Sequence, residues 1–157
     1  MEKFDELLFK LLCWTCGILI FAMMVVTFSQ VLARYAFQHS LSWSEEVGRF
    51  IFVWISFLGM AACFKSGAHV ALDLLVKYLT GFSRKALEIV NGILIVLLSS
   101  AIFVSGISLF QLGTRQQSPA LNIPMQWIYI VVPVSGLLLL YFSIRILYGY
   151  FAQQKKG

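Results

Sequence analysis

The sequence predicts an all-α integral membrane protein with four transmembrane helices and a short interfacial amphipathic helix between the second and third. Three observations carry this. Of its 157 residues 60% are hydrophobic and only 12% charged, about half the charged share of a soluble domain. Mean hydropathy is +0.86. Apolar runs suited to a hydrocarbon core of roughly 30 Å recur along the chain, separated by short charged stretches. Residues 1–157 are expected to form a single four-helix membrane domain, with spans at about 11–33, 44–64, 87–113 and 125–147 and the interfacial helix at about 68–80. The net charge of +5 then marks topology and not nucleic-acid binding.

The first ten residues, MEKFDELLFK, read as an amphipathic lead-in turn. Their mixed charge differs from the basic start of a cleaved signal peptide, so an uncleaved first helix is expected. No charge falls between Lys10 and Arg34. Thr27, Ser29 and Gln30 near the far end suit hydrogen bonds between helices. Cys13 and Cys16 spell CxxC, but they lie in an apolar helix with no His or further Cys nearby to complete a metal shell. A small hydrophobe is the expected role.

The second span opens with SWSEEVGRFIFVWISFLG, residues 42–59. Ser42 followed three positions later by Glu45 is a capping-box pattern that starts a helix at about Trp43. Glu45 to Arg49 is an i,i+4 step and Glu46 to Arg49 an i,i+3 step, so the three share one face. Residues 50–64 are uncharged but too few to span alone, which sets the charged turn at or just inside the interface. A charge at mid-bilayer costs about 2.5–3.5 kcal/mol, so pairing and shallow placement are both expected. Arg34 ends the first helix at the same depth and is expected to complete a network with Glu45, Glu46 and Arg49.

His69, Asp73 and Lys77 then recur every four residues opposite Leu72, Val76 and Leu79. This is a helix too polar to span, lying in the plane of the membrane surface. A solvated polar stripe accounts for it; His69 and Asp73 as proton carriers is the sharper alternative. In the third span Ser99, Ser100, Ser105, Gly106 and Ser108 offer small faces for close helix approach. Pro119 and Pro124 stiffen the loop after it, and Pro133 is expected to kink the fourth helix. Trp43 and Trp127 mark one membrane interface, and Trp14 with Tyr148 and Tyr150 the other.

With four spans, nine Lys and Arg residues fall on the side of the termini and three on the opposite side. Both termini are therefore expected in the cytoplasm. No catalytic, cofactor-binding or metal-ligating set emerges, so the chain is not expected to be an enzyme. His39 and His69 fall in loops on opposite sides, which excludes paired haem ligation within one chain. A proton-coupled exporter needs an acidic residue deep in a span, and none of the four apolar spans holds one at that depth.

The residues W-S-E-E-V-G-R-F from Trp43, G-A-H-V-A-L-D from Gly67, S-P-A-L-N-I-P from Ser118 and P-V-S-G from Pro133 come in that order on a four-span chain. In this the chain resembles the small membrane subunit, the DctQ-like family, of tripartite ATP-independent periplasmic (TRAP) transporters. The resemblance implies a bacterial inner-membrane scaffold in sodium-coupled uptake of organic acids, of the sialic acid or C4-dicarboxylate class. The implied partners are a large membrane transport subunit, a periplasmic solute-binding protein and membrane lipid. No cofactor is implied for this chain; sodium coupling belongs to the large subunit. On this reading Arg34, Glu45, Glu46 and Arg49 form a structural and docking shoulder on the periplasmic side. The alternative is a four-helix membrane anchor or assembly subunit of an unrelated complex.

Overall fold

A computed structural model of the chain describes residues 2–36, 38, 42–66 and 82–154. The expected interfacial helix, with His69, Asp73 and Lys77, lies outside the described residues. Among the described residues the fold is all-α, and four of the helices are long and apolar enough to cross a membrane. Helix α1 covers Glu2–Ala36, α2 Ser42–Lys65 and α3 Phe82–Gly113; the single turn α4 covers Gln126–Tyr129 and α5 Val131–Gln154.

The lead-in turn is not a separate element. It is continuous with α1, a helix of 35 residues, about 52 Å long at 1.5 Å per residue. Nothing in residues 2–10 interrupts a helix: there is no Gly or Pro, and Leu, Glu and Lys are good helix formers. Helix α2 begins at Ser42, one residue before the capping-box estimate, within the usual scatter of helix ends.

The fourth span is broken at Ile130 into α4 and α5. The cause is Pro133. It has no N–H to donate to the carbonyl of Tyr129, four residues back, where the interruption begins. Helical bonding carries on around the gap: Ile130 N–H donates to Gln126 O at 3.0 Å and Val134 N–H to Ile130 O at 3.2 Å.

The helices pack as an open row in the order α1, α2, α5, α3. The span Gln126–Arg145, made of α4 and most of α5, is the most enclosed, 44% buried against 11% for each of the spans in α1 and α3. The core runs along the α2–α5 seam, where Leu58, Ala61 and Phe64 meet Val131, Leu139 and Phe142, with Leu12 added from α1. Lipid is as apolar as these side chains, so contact between membrane helices depends on close packing. At the α3–α5 crossing that closeness requires glycine. A Cβ on Gly106 would fall 2.6 Å from the backbone nitrogen of Pro133, and one on Gly136 would fall 2.7 Å from that of Phe103.

Candidate functional site

Two polar junctions stand at the opposite ends of α2. At the first, α3 finishes in tight turns and the chain folds back on itself before α4. Ser118 N–H donates to Ile123 O at 2.9 Å, Met125 N–H to Gln116 O at 3.0 Å and Asn122 N–H to Ser118 O at 3.0 Å. Asn122 takes φ 53°, a left-handed conformation that Asn tolerates because its short polar side chain bonds locally. This turn leaves the N–H groups of Ala120 and Leu121 at its tip in need of an acceptor.

Glu46 supplies it. Its Oε2 accepts from Ala120 N–H at 3.0 Å and from Leu121 N–H at 3.1 Å. The Ser118 hydroxyl accepts a second bond from Leu121 N–H at 3.3 Å. Both Glu46 and Ser118 are buried. A charged acceptor shared by two backbone donors makes a stronger tie than neutral bonds of the same geometry. One carboxylate from the first turns of α2 thus fixes a loop 74 positions further along.

The neighbouring glutamate does something else. Adjacent residues on an α-helix point about 100° apart, so when Glu46 faces the loop Glu45 faces outward. Glu45 Oε1 lies 3.7 Å from Arg49 Nη2, with both side chains about 70% exposed. A pair this open contributes about 0.3–0.5 kcal/mol. Arg34 is exposed near the end of α1 and pairs with neither Glu45 nor Glu46 among the described residues. The expected four-charge face is therefore divided into an inward carboxylate and an outward ion pair. Trp43 and Trp127 are exposed at this same end, and Trp14 is exposed on the outside of α1.

The second junction has no counterpart in the sequence reading. Asp5, buried in the first turns of α1, faces α5. Its Oδ1 accepts from the Tyr141 hydroxyl at 2.6 Å, and its Oδ2 accepts from Arg145 Nε at 3.1 Å and also from Arg145 Nη2. Lys65, in the last turn of α2, holds its Nζ 5.7 Å from the centre of the Phe142 ring. The first turns of α1, the last turn of α2 and the middle of α5 thus meet through one carboxylate, two donors and one cation over an aromatic face. Two signals pointed here. Tyr141 and Arg145 are an i,i+4 pair on one face, and a tyrosine hydroxyl in an apolar run needs a partner. What the sequence lacked was any local link between that pair and Asp5.

Both carboxylates are engaged by fixed donors, an arrangement suited to holding elements in register. Cys13, Cys16 and Cys63 are free thiols.

The sequence model of the family described as "Tripartite ATP-independent periplasmic transporters, DctQ component" matches residues 23–153. A TRAP transporter small permease protein of Haemophilus influenzae is 26% identical over 138 residues, covering 88% of this chain and 86% of that one. The sialic acid TRAP transporter permease protein SiaT of Haemophilus influenzae is 26% identical over 84% of this chain, a stretch that is only 21% of its own length. The C4-dicarboxylate TRAP transporter small permease protein DctQ of Rhodobacter capsulatus is 26% identical over 71% of this chain and 50% of its own. These relatives are transporter subunits and not enzymes. With four apolar helices and a family match across most of its length, the chain is a multi-pass membrane protein that belongs to the DctQ component family of TRAP transporters.

Proposed function

We propose that this chain is the small scaffold subunit of a sodium-coupled, binding-protein-dependent importer of organic acids, and that the Glu46-held loop helps seat the periplasmic binding protein. The observation that carries the docking role is the pair of bonds from Ala120 and Leu121 to Glu46. They hold a loop whose Pro119, Ala120, Asn122 and Ile123 are exposed. A loop ordered before its partner arrives loses less entropy on binding. The large membrane subunit is braced along the helices, and substrate and sodium contacts belong to it. Sialic acid and C4-dicarboxylates are among the substrates that the names of the relatives give, beside isethionate and ectoine. The Lys and Arg distribution supports cytoplasmic termini, which turns the Glu46 end toward the periplasm. Arg34, Glu45 and Arg49 sit on the outer rim of that shoulder.

The test is reconstitution of the chain with its large subunit and binding protein in liposomes, with sialic acid or succinate as substrate and a sodium gradient imposed. Glu46→Ala is expected to keep the large subunit during purification and to lose binding-protein-stimulated uptake. Wild-type uptake by that variant would sink the docking role. Failure of the wild-type chain to recover a large permease subunit would favour the anchor of an unrelated complex.

A further inference from the structure

Lys65 is the last residue of α2, where the apolar run of the second span gives out. A lysine at such a place commonly pairs with a carboxylate or bonds the last carbonyls of its own helix, whose dipole favours a cation there. Lys65 does neither. Among the described residues no carboxylate lies within ion-pair distance of it. Two carbonyls of that last turn are taken by Ser66 instead: its N–H donates to Ala62 O at 3.0 Å and its hydroxyl to Cys63 O at 2.9 Å.

The carboxylate of the junction is engaged elsewhere. Asp5 is turned inward, its side chain 6% exposed, with Oδ1 on the Tyr141 hydroxyl and Oδ2 on Arg145. Yet the ammonium of Lys65 is not left to wander. Its Nζ stands 5.7 Å from the centre of the buried Phe142 ring, within reach of a cation–π attraction, and the side chain is half-buried. Phe142 and Arg145 are an i,i+3 pair on one face of α5. The Arg145 guanidinium, 30% exposed, therefore borders the same spot. Two cations and one inward carboxylate leave the junction with a surplus positive charge, at the depth where hydrocarbon gives way to headgroups.

We propose that this end of the α2–α5 seam binds the phosphate of an anionic phospholipid, with Lys65 as the principal contact and Arg145 beside it. The ammonium has three donors and nothing in the described part of the chain to accept them. A phospholipid phosphate brings acceptor oxygens and a negative charge to the matching depth. A zwitterionic headgroup carries a cation of its own, which would face Lys65 and Arg145; a headgroup with net negative charge meets no such opposition.

The experiment purifies the full chain in detergent, adds phosphatidylglycerol or phosphatidylcholine, and counts bound lipid per folded chain by native mass spectrometry, which separates lost binding from lost folding. Wild type is expected to retain phosphatidylglycerol in preference to phosphatidylcholine. Lys65→Met keeps an apolar stem on the ring and removes the charge. It should weaken phosphatidylglycerol binding about fivefold, the scale of one basic residue at a membrane surface. Lys65→Arg should restore it. Lys10→Met, which removes an exposed charge from α1, should bind as wild type does. Inorganic phosphate should not displace the bound lipid, since it has the charge without the acyl chains. Equal binding by wild type and Lys65→Met overturns the site, and an equal loss in Lys10→Met replaces it with general attraction to the surface. Displacement by inorganic phosphate would assign the cations to a soluble anion and overturn the lipid.

Discussion

Asp5 and Arg145 lie 140 positions apart in the chain, yet the guanidinium Nε of Arg145 stands 3.1 Å from Asp5 Oδ2. The contact ties the first turns of α1 to α5 at the end of α2 where Lys65 lies over Phe142. Its effect is to cross-brace α1 and α5, each of which also packs along α2.

Breaking one side of a buried pair costs more than removing both, because the remaining charge is left without compensation. Arg145→Met alone is expected to lower the melting temperature in detergent more than Arg145→Met combined with Asp5→Leu. Tyr141→Phe, which leaves the Arg145 bonds in place, should lower it least. Thermal unfolding of the three variants checks the order, and equal melting temperatures for the single and double Arg145 variants would refute the brace.

At the opposite end, Glu46→Ala leaves the Ala120 N–H without its acceptor and the Leu121 N–H with only its longer bond to the Ser118 hydroxyl, at about 1–3 kcal/mol for a group left buried and unpaired. Amide hydrogen exchange at Ala120 and Leu121 should speed up accordingly. Glu46→Gln keeps a neutral acceptor and should have a smaller effect. Glu45→Gln removes only an exposed i,i+4 pair and should change stability by less than about 0.5 kcal/mol. Equal protection of the loop amides in Glu46→Ala and wild type would show that the carboxylate does not hold the turn.

The crossing of α3 on α5 predicts a contrast between two glycines. Gly106→Ala places a methyl group against the backbone of Pro133 and should destabilise by about 1–3 kcal/mol through overpacking. Gly17→Ala meets open space in this chain and replaces the poorer helix former, so it should be neutral or stabilising by up to about 1 kcal/mol. Chemical or thermal unfolding of the isolated chain measures both, and a tolerated Gly106→Ala would mean that the two helices separate more easily than this packing implies.

Much of this architecture was legible in the residues. Long apolar runs determined the all-α membrane class, because a chain in lipid must satisfy its backbone internally and a helix does so with local bonds alone. The missing N–H of Pro133 located the break in the fourth span. The family resemblance rested on short stretches read in order. Glu45 with Arg49 was equally accessible, since an i,i+4 pair is set by the pitch of one helix.

Only the tertiary structure decided what Glu46 and Asp5 hold. Glu46 looked like a second member of the Glu45–Arg49 face, and Asp5 like one charge among several in a lead-in turn. Each instead turns to donors 74 to 140 positions away. Helical periodicity says which residues share a face, but which neighbour that face meets depends on how the helices line up. Here that order is α1, α2, α5, α3, set by close backbone approach at Gly106 and Gly136 and by the packing of α2 along α5.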